Sequence, residues 1–432
     1  MLLAKCCFQD LFVRLIAAMF TIKPITFQQQ DSSLAHRGTT TKEDYGDIRS
    51  SESPIGVIAI VSSVLPKMVK ILTDADRIST AASTISTQIL GPAFHWKGFP
   101  SNITADILSI MRTMSRVTET SKLWRRDITE AFNEPKFFST KPLSLVKRGW
   151  IPLLHQLTIL DKDRMSELLS RLAAPTSAGI MFGVGASSAR LEADRKTQVT
   201  LRRIALIVLA ADDDAFVLNI RLMQDKIVEL LSATATSSPS SNTRAEVYMV
   251  FRALALKNSS FHLTSLWPII NSELNEVLAS MVQIASREIY SITSILQAAK
   301  LLDSLLVLGL DDFQLCEWLY ITDTVEAVYR PPGWRPVALI DEMVDILDNQ
   351  NHTSNGATPF TAGLSAEGRK PLLRWDDIHQ LPREKWLDQV LTPFMRHLSI
   401  NAFESTYRME KPDKEACFDE LLKDLFDDST LV

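Results

Sequence analysis

Between Val247 and Leu306 the chain lays down three apolar stripes in succession, and this run constrains the fold more than any other feature. Val247, Val250, Phe251 and Leu254 form the first stripe. Leu263, Leu266, Ile270, Leu274, Val277, Leu278 and Met281 form the second. Ile292, Ile295, Leu296, Ala299, Leu302 and Leu306 form the third. Steps of three and four residues place each set on one face of a helix, whereas a half-buried strand needs strict alternation. Three amphipathic helices joined by short turns bury their stripes against one another, which predicts an array of helical hairpins.

The same periodicity recurs elsewhere. Ile107, Ile110, Met111, Met114, Val117, Trp124 and Ile128 follow it, and Pro135 with Phe137 and Phe138 closes that unit. A further helix carries Met165, Leu168, Leu169 and Leu172, with Asp161 as its expected N-cap and Pro175 as its stop. Two very apolar segments between Thr197 and Leu231 flank Asp212-Asp213-Asp214, read as a turn cap. Only 14 glycines occur in 432 residues, too few for a fold built on tight strand turns. The expected class is therefore all-α, an irregular helical solenoid of the armadillo or HEAT kind. It comprises a polar lead-in over 1–53, array halves over 54–232 and 244–348, and a C-terminal helical unit over 371–428. Residues 28–53, 233–243 and 349–370 hold too few apolar groups to offset their ordering entropy and read as poorly packed. Trp150-Ile151-Pro152 is faintly echoed by Trp267-Pro268-Ile269, but one echo sets no repeat period.

Several functions are disfavoured on chemical grounds. A formal charge of −5 lacks the basic footprint of a general nucleic-acid binder. Cys6, Cys7, Cys316 and Cys417 form no CxxC pair, so neither a zinc site nor a disulfide framework is encoded. The seven histidines include no HExxH. Gly183-Val184-Gly185 lacks the third glycine of a phosphate loop and reads as a turn. With no GxSxG elbow either, the chain is expected to be neither an enzyme nor the holder of a cofactor or metal. The opening apolar run is broken by Arg14, and no later segment offers ~18 uninterrupted apolar residues, so a cytoplasmic protein without a membrane span is expected.

Three stretches stand out as candidate surfaces. Residues 120–148 hold seven Lys/Arg against three acids, and Lys122, Arg125, Arg126, Lys147 and Arg148 are candidate contacts for anionic lipid headgroups. The block Asp311–Thr324 has Phe313, Leu315, Trp318 and Ile321 at helical steps, expected to face the core. Its acids Asp311, Asp312 and Glu317 are then the candidate partner-binding side. The tail repeats Phe418, Leu421, Leu422, Leu425 and Phe426 among many acids. That apolar face either docks on the chain's own last helices or offers Phe418, Leu422 and Phe426 to a partner groove.

The wording of the middle and end resembles the C-terminal region of the Dopey family of trafficking proteins. The likeness lies in Leu123-Trp124-Arg125-Arg126-Asp127 with Phe137-Phe138, in Asp161–Arg164, in Phe251-Arg252-Ala253-Leu254 and in Leu266-Trp267-Pro268. It is strongest in Asp311–Trp318 and Ile321–Thr324, and continues in Ser399–Tyr407 and Pro412–Cys417. It runs from about residue 54 to 428, and Met1–Ser53 looks like no family segment. Family members are several times longer, so the chain corresponds to a portion of one. The resemblance implies a non-enzymatic scaffold in vesicle transport between Golgi and endosomes, peripheral on their cytoplasmic face. It implies two partners, a large Arf-exchange-factor-like trafficking scaffold and a lipid flippase, and it brings no catalytic residues. The alternative is a peripheral lipid-binding module that uses segment 122–148.

Overall fold

A computed structural model of the chain describes Arg14 and residues 55–68, 74–95, 98–117, 120–172, 186–232, 241–282, 290–322, 329, 333, 337–350 and 368–431. Among the described residues 77% are helical and no sheet is present. Strand pairing there is confined to one isolated bridge between Arg369 and Pro412. The expected all-α solenoid is what the chain forms. Residues 28–53, 233–240 and 351–367, expected to be poorly packed, and Gly183–Gly185, expected to be a turn, lie outside the described set.

The chain divides into two compact units, Met1–Leu157 and Thr158–Val432. In the first unit the helices are α1 (Ile55–Met68), α2 (Ala75–Ile85), α3 (Ala105–Ser115), α4 (Ser121–Asn133) and α5 (Ile151–Leu160), which carries the division. Phe137 and Phe138 follow the end of α4 at Asn133, where the unit was expected to close, and are also the fully buried hub of this unit's core. The Phe137 ring lies 4.9 Å from Trp150 and 5.2 Å from Phe132, both edge-on. Edge-to-face ring pairs contribute about 0.5–1.5 kcal/mol each beyond area burial, so this cluster fixes the approach of the π-helical stretch Val146–Trp150 to α4.

The second unit begins with α6 (Arg164–Ser170). Asp161 is not its cap; its carboxylate accepts from Arg164 Nη2 at 2.9 Å. There follow α7 (Ala186–Ala210), α8 (Ile220–Leu231), α9 (Ser241–Lys257), α10 (Trp267–Ala279), α11 (Ile292–Leu308), α12 (Leu339–Gln350), α13 (Thr392–Tyr407) and α14 (Lys414–Leu425). Helices α7, α9 and α11 lie side by side and parallel. Gln198 meets Thr243 and Arg202 meets Glu246, 45 and 44 residues apart. Asn242 meets Ser291 and Arg252 meets Gln297, 49 and 45 residues apart. A steady offset of this size is the register of a helical repeat, which the sequence echo at Trp150 and Trp267 did not reveal.

Helices α7 and α9 share one core, and α14 packs on both. The division between the compact units falls after Leu157, inside the stretch 54–232 expected as the first array half. Helix α11 is buried along nearly its whole length. Ser291 caps its start by accepting from the Ser294 amide at 3.2 Å. Gly309 ends it at φ +56°, the left-handed conformation that only glycine adopts cheaply.

Candidate interaction sites

The five basic residues singled out in 122–148 do not form one face. Lys122 and Arg126 are exposed on α4, but the Arg126 guanidinium lies 3.1 Å from the buried Asp127 carboxylate. Asp127 also accepts from Ser86 Oγ at 2.7 Å, so this carboxylate is held from two helices. Arg125 and Lys147 are half-buried and both are engaged by neighbouring groups. Arg148, but none of the other four, lines a cleft of about 430 Å³ between α3 and the helical stretch 143–149 that leads into α5.

The opposite wall of that cleft carries Arg112, which lies outside the basic segment and which sequence reasoning missed. Thr104, Leu108, Ser109 and Arg112 line one wall along α3, and Pro142, Ser144 and Arg148 line the other along the helical stretch before α5. Arg112 and Arg148 are both exposed, and among the described residues neither has an ion-pair partner. Thr104 caps α3 by accepting from the Ile107 amide at 3.4 Å, which turns the positive end of that helix toward the cleft. Asp106, half-buried in the first turn, partly offsets that end. Gly149 lets the walls close, because a Cβ there would collide with Leu108 Cδ1. Two free guanidiniums, hydroxyls and a helix start suit a phosphate-bearing group.

In the Asp311–Thr324 block the structure separates what periodicity joins. Phe313 and Ile321 are buried, as expected, but Leu315 is 75% and Trp318 58% exposed. The segment is not one helix. A short turn, Asp311–Gln314, is followed by a 3-10 turn, Glu317–Leu319, so a helical wheel misplaces the residues after Gln314. Phe313 stacks on Tyr320 at 6.0 Å and lies 5.9 Å from Trp267, forming the buried side. Of the three acids, Asp311 is exposed with no partner among the described residues, and Glu317 is half-buried and engaged. Asp312 has an internal role: its carboxylate accepts from Thr264 Oγ1 at 3.1 Å and from Trp267 Nε1 at 3.4 Å.

Most of the apolar tail residues are core. Leu422 and Phe426 are buried, Phe418 is half-buried, and the apolar face of α14 lies on α7 and α9. Leu422 and Phe426 are therefore unavailable to a partner groove in this fold, whereas Phe418 keeps part of its surface exposed. What the stripe could not reveal is the ionic side of the same helix. Asp424 accepts from Lys300 Nζ and Arg252 Nη1, both at 2.6 Å and all three groups buried. Burial pushes the Asp424 carboxyl up, but these two cations outweigh it and hold it below its ordinary range.

Among the described residues no cluster of three or more His, Cys, Asp or Glu could hold a metal. No helix among them is long and apolar enough to cross a membrane.

Comparison with known proteins gives a consistent answer. A family model described as DOP1 C-terminal matches residues 5–408. It begins well before residue 54, so Met1–Ser53 does resemble the family, contrary to the sequence reading. Protein dop1 of Emericella nidulans is 46% identical over 426 residues, which are 98% of this chain and 23% of that protein. Protein DOP1 of Saccharomyces cerevisiae is 27% identical over 367 residues, 81% of this chain and 20% of its own length. Protein DOP1B of Xenopus laevis is 25% identical over 165 residues, 38% of this chain and 6% of its own. The chain thus spans less than a quarter of the length of these relatives. No solved structure matches it significantly.

Proposed function

The chain belongs to the Dopey, or DOP1, family through the C-terminal region, and from that premise we propose that it is a non-enzymatic scaffold domain in vesicle transport between Golgi and endosomes. The observation that carries this reading is the 46% identity to a fungal DOP1 protein over 98% of the chain. Family membership supports a role in membrane traffic. A parallel helical array supports the scaffold role, because stacked repeats present long surfaces on rigid elements. The proposed partners are a large Arf-exchange-factor-like scaffold and a lipid flippase, and the proposed location is the cytoplasmic face of Golgi and endosomal membranes. The test is co-purification of the intact chain with each protein in detergent without added lipid. Stoichiometric recovery of either partner supports the scaffold. Failure to recover both, with the chain folded, contradicts it.

A second reading, attachment to anionic lipid, is favoured by one observation. Arg112 and Arg148 face one cleft unpaired, whereas Arg126 is occupied by Asp127. Basic groups near an anionic surface contribute about 1 kcal/mol each, so two in a cleft, with exposed Lys122 and Lys141 nearby in sequence, give weak and reversible attachment. This suits a scaffold that cycles on and off membranes.

A further inference from the structure

Helices α7, α9 and α11 are parallel, so their C-terminal ends emerge on one side of the second unit, and each end opens into a loop. The loops are tied to one another. The Asp214 carboxylate accepts from the Ser259 amide at 2.8 Å and from Ser259 Oγ at 2.5 Å. Asp312 does the same work one repeat on, accepting from Thr264 Oγ1, while its own amide donates to Ser260 Oγ at 3.1 Å. Trp318 Nε1 donates to the Leu315 carbonyl at 3.1 Å, which fixes the indole over its own turn. The edge is therefore preformed.

Large apolar side chains stand out from it: Leu218 at 97% exposure, Phe261 at 81%, Leu315 at 75% and Trp318 at 58%. Loops are ordinarily the polar regions of a fold, and a row of exposed apolar groups along one edge marks a contact surface. Their surroundings are negative. Segments 211–219, 257–266 and 309–320 hold six carboxylates (Asp212, Asp213, Asp214, Asp311, Asp312 and Glu317) against one cation, Lys257. Lys257 is already paired with Asp213 at 2.7 Å. Three helix C-termini add partial negative charge at the same edge.

We infer that this edge docks a basic amphipathic helix of a partner protein, with Phe261, Leu315 and Trp318 as the apolar anchors and Asp311 in the acidic rim. Phe261 stands on one loop and Leu315 with Trp318 on the next, and neighbouring packed helices lie about 8–10 Å apart, so the two groups of anchors are spaced close to two turns of a helix laid across them, about 10.5 Å. The negative rim selects lysine and arginine beside those apolar residues and repels an anionic leaflet. The inference rests on the scaffold reading and adds the chemistry of what is held.

The probe is a stapled synthetic helix of about 20 residues with leucines every seventh position and flanking lysines, binding to the 432-residue chain at physiological salt being read by fluorescence anisotropy. A glutamate-flanked helix and a scrambled-leucine helix serve as comparisons. The lysine-flanked helix should bind about tenfold or more tighter than either. The double variant Phe261→Ser/Trp318→Ser should lose about tenfold in affinity, Asp311→Lys should weaken the lysine helix, and Arg112→Glu should leave binding unchanged. All these residues are exposed, and an unchanged circular dichroism spectrum and melting temperature confirm that the variants fold. Equal binding of the three helices, or no loss in the double variant, overturns the inference. So does dimerisation, or sedimentation with neutral vesicles, that is abolished by the same double variant. The scaffold reading fails separately, in the co-purification experiment.

Discussion

Arg202 and Glu246, on parallel helices and 44 residues apart in sequence, form a fully buried ion pair. Nε of the arginine donates to Glu246 Oε2 at 2.9 Å and Nη2 to Oε1 at 2.8 Å. The remaining donors reach the C-terminal end of the chain: Nη1 donates to the carbonyls of Leu425 and Asp427 at 3.0 and 2.7 Å, and Nη2 also meets Thr430. One side chain thus joins the repeat register to the terminal segment. Removing one partner of such a pair strands a buried charge and costs about 3–5 kcal/mol, whereas replacing both with apolar groups costs far less. Glu246→Leu should lower unfolding free energy by that amount in urea titrations. Arg202→Met/Glu246→Leu should recover much of it.

The tail gives a second test. Deleting residues 415–432 removes the buried Leu421, Leu422, Leu425 and Phe426 and leaves Arg252 and Lys300 without Asp424. Each large-to-small loss in a core costs about 2–5 kcal/mol, so the second unit should melt on the order of 10 °C lower or fail to fold. Differential scanning calorimetry reads this directly. An unchanged midpoint would mean that α14 is dispensable to the fold.

Asp303 predicts a pH dependence. Burial pushes its carboxyl up to about 7, against hydrogen bonds from the Leu373 and Leu372 amides that favour the charged form. Its folded value lies above the unfolded one near 3.9, so the folded state holds the proton more tightly. Stability from this group is then full below pH 4, is lost as pH rises toward 7, and stays lost above it. Asp303→Asn keeps an acceptor for the Leu373 amide, which now donates to Oδ2 at 2.9 Å, and removes the titration. The variant should gain up to about 4 kcal/mol relative to the parent at pH 8 and little at pH 4, read as a flatter stability profile between those values. Asp427 acts in the opposite direction. Burial pushes it up, but hydrogen bonds from His379 and Ser429 outweigh this and hold it below the usual range, so its contribution is lost only in acid.

The membrane reading is tested by charge position. Arg112→Glu/Arg148→Glu should abolish sedimentation with anionic liposomes at physiological salt. Arg125→Glu/Arg126→Glu, which alters one engaged and one paired side chain, should have the smaller effect on sedimentation. Added salt should weaken the parent's binding, since exposed charges are screened within about 8 Å at physiological ionic strength. If the Arg112/Arg148 variant sediments like the parent, the cleft is not the contact.

Helices are legible in the sequence wherever one face is apolar and the segment is long, as in 247–254 and 292–306. Their order in space is not. The register of α7, α9 and α11 is written in polar pairs such as Arg202 with Glu246 and Asp214 with Ser259, which an apolar stripe does not report. A 3.6-residue wheel puts Leu315 and Trp318 in the core only by running on through a segment that turns after Gln314. Arg112 escapes a local reading because its counterpart in the cleft is 36 positions away at Arg148, brought near by the Gly149 contact with Leu108. The basic run points to α4, where Asp127 already holds one of the arginines.

The proposed function is tested most directly in cells whose own DOP1 is replaced by the Emericella nidulans protein, since this chain corresponds to 23% of its length. Three forms are compared: the intact protein, one lacking that segment, and one in which this chain is substituted for it. The measurement is the fraction of a membrane cargo that returns from endosomes to the Golgi, followed by fluorescence microscopy. A scaffold domain predicts that the deletion loses Golgi location and cargo return, and that the substituted form restores both. Normal return of cargo in the deletion would contradict the account.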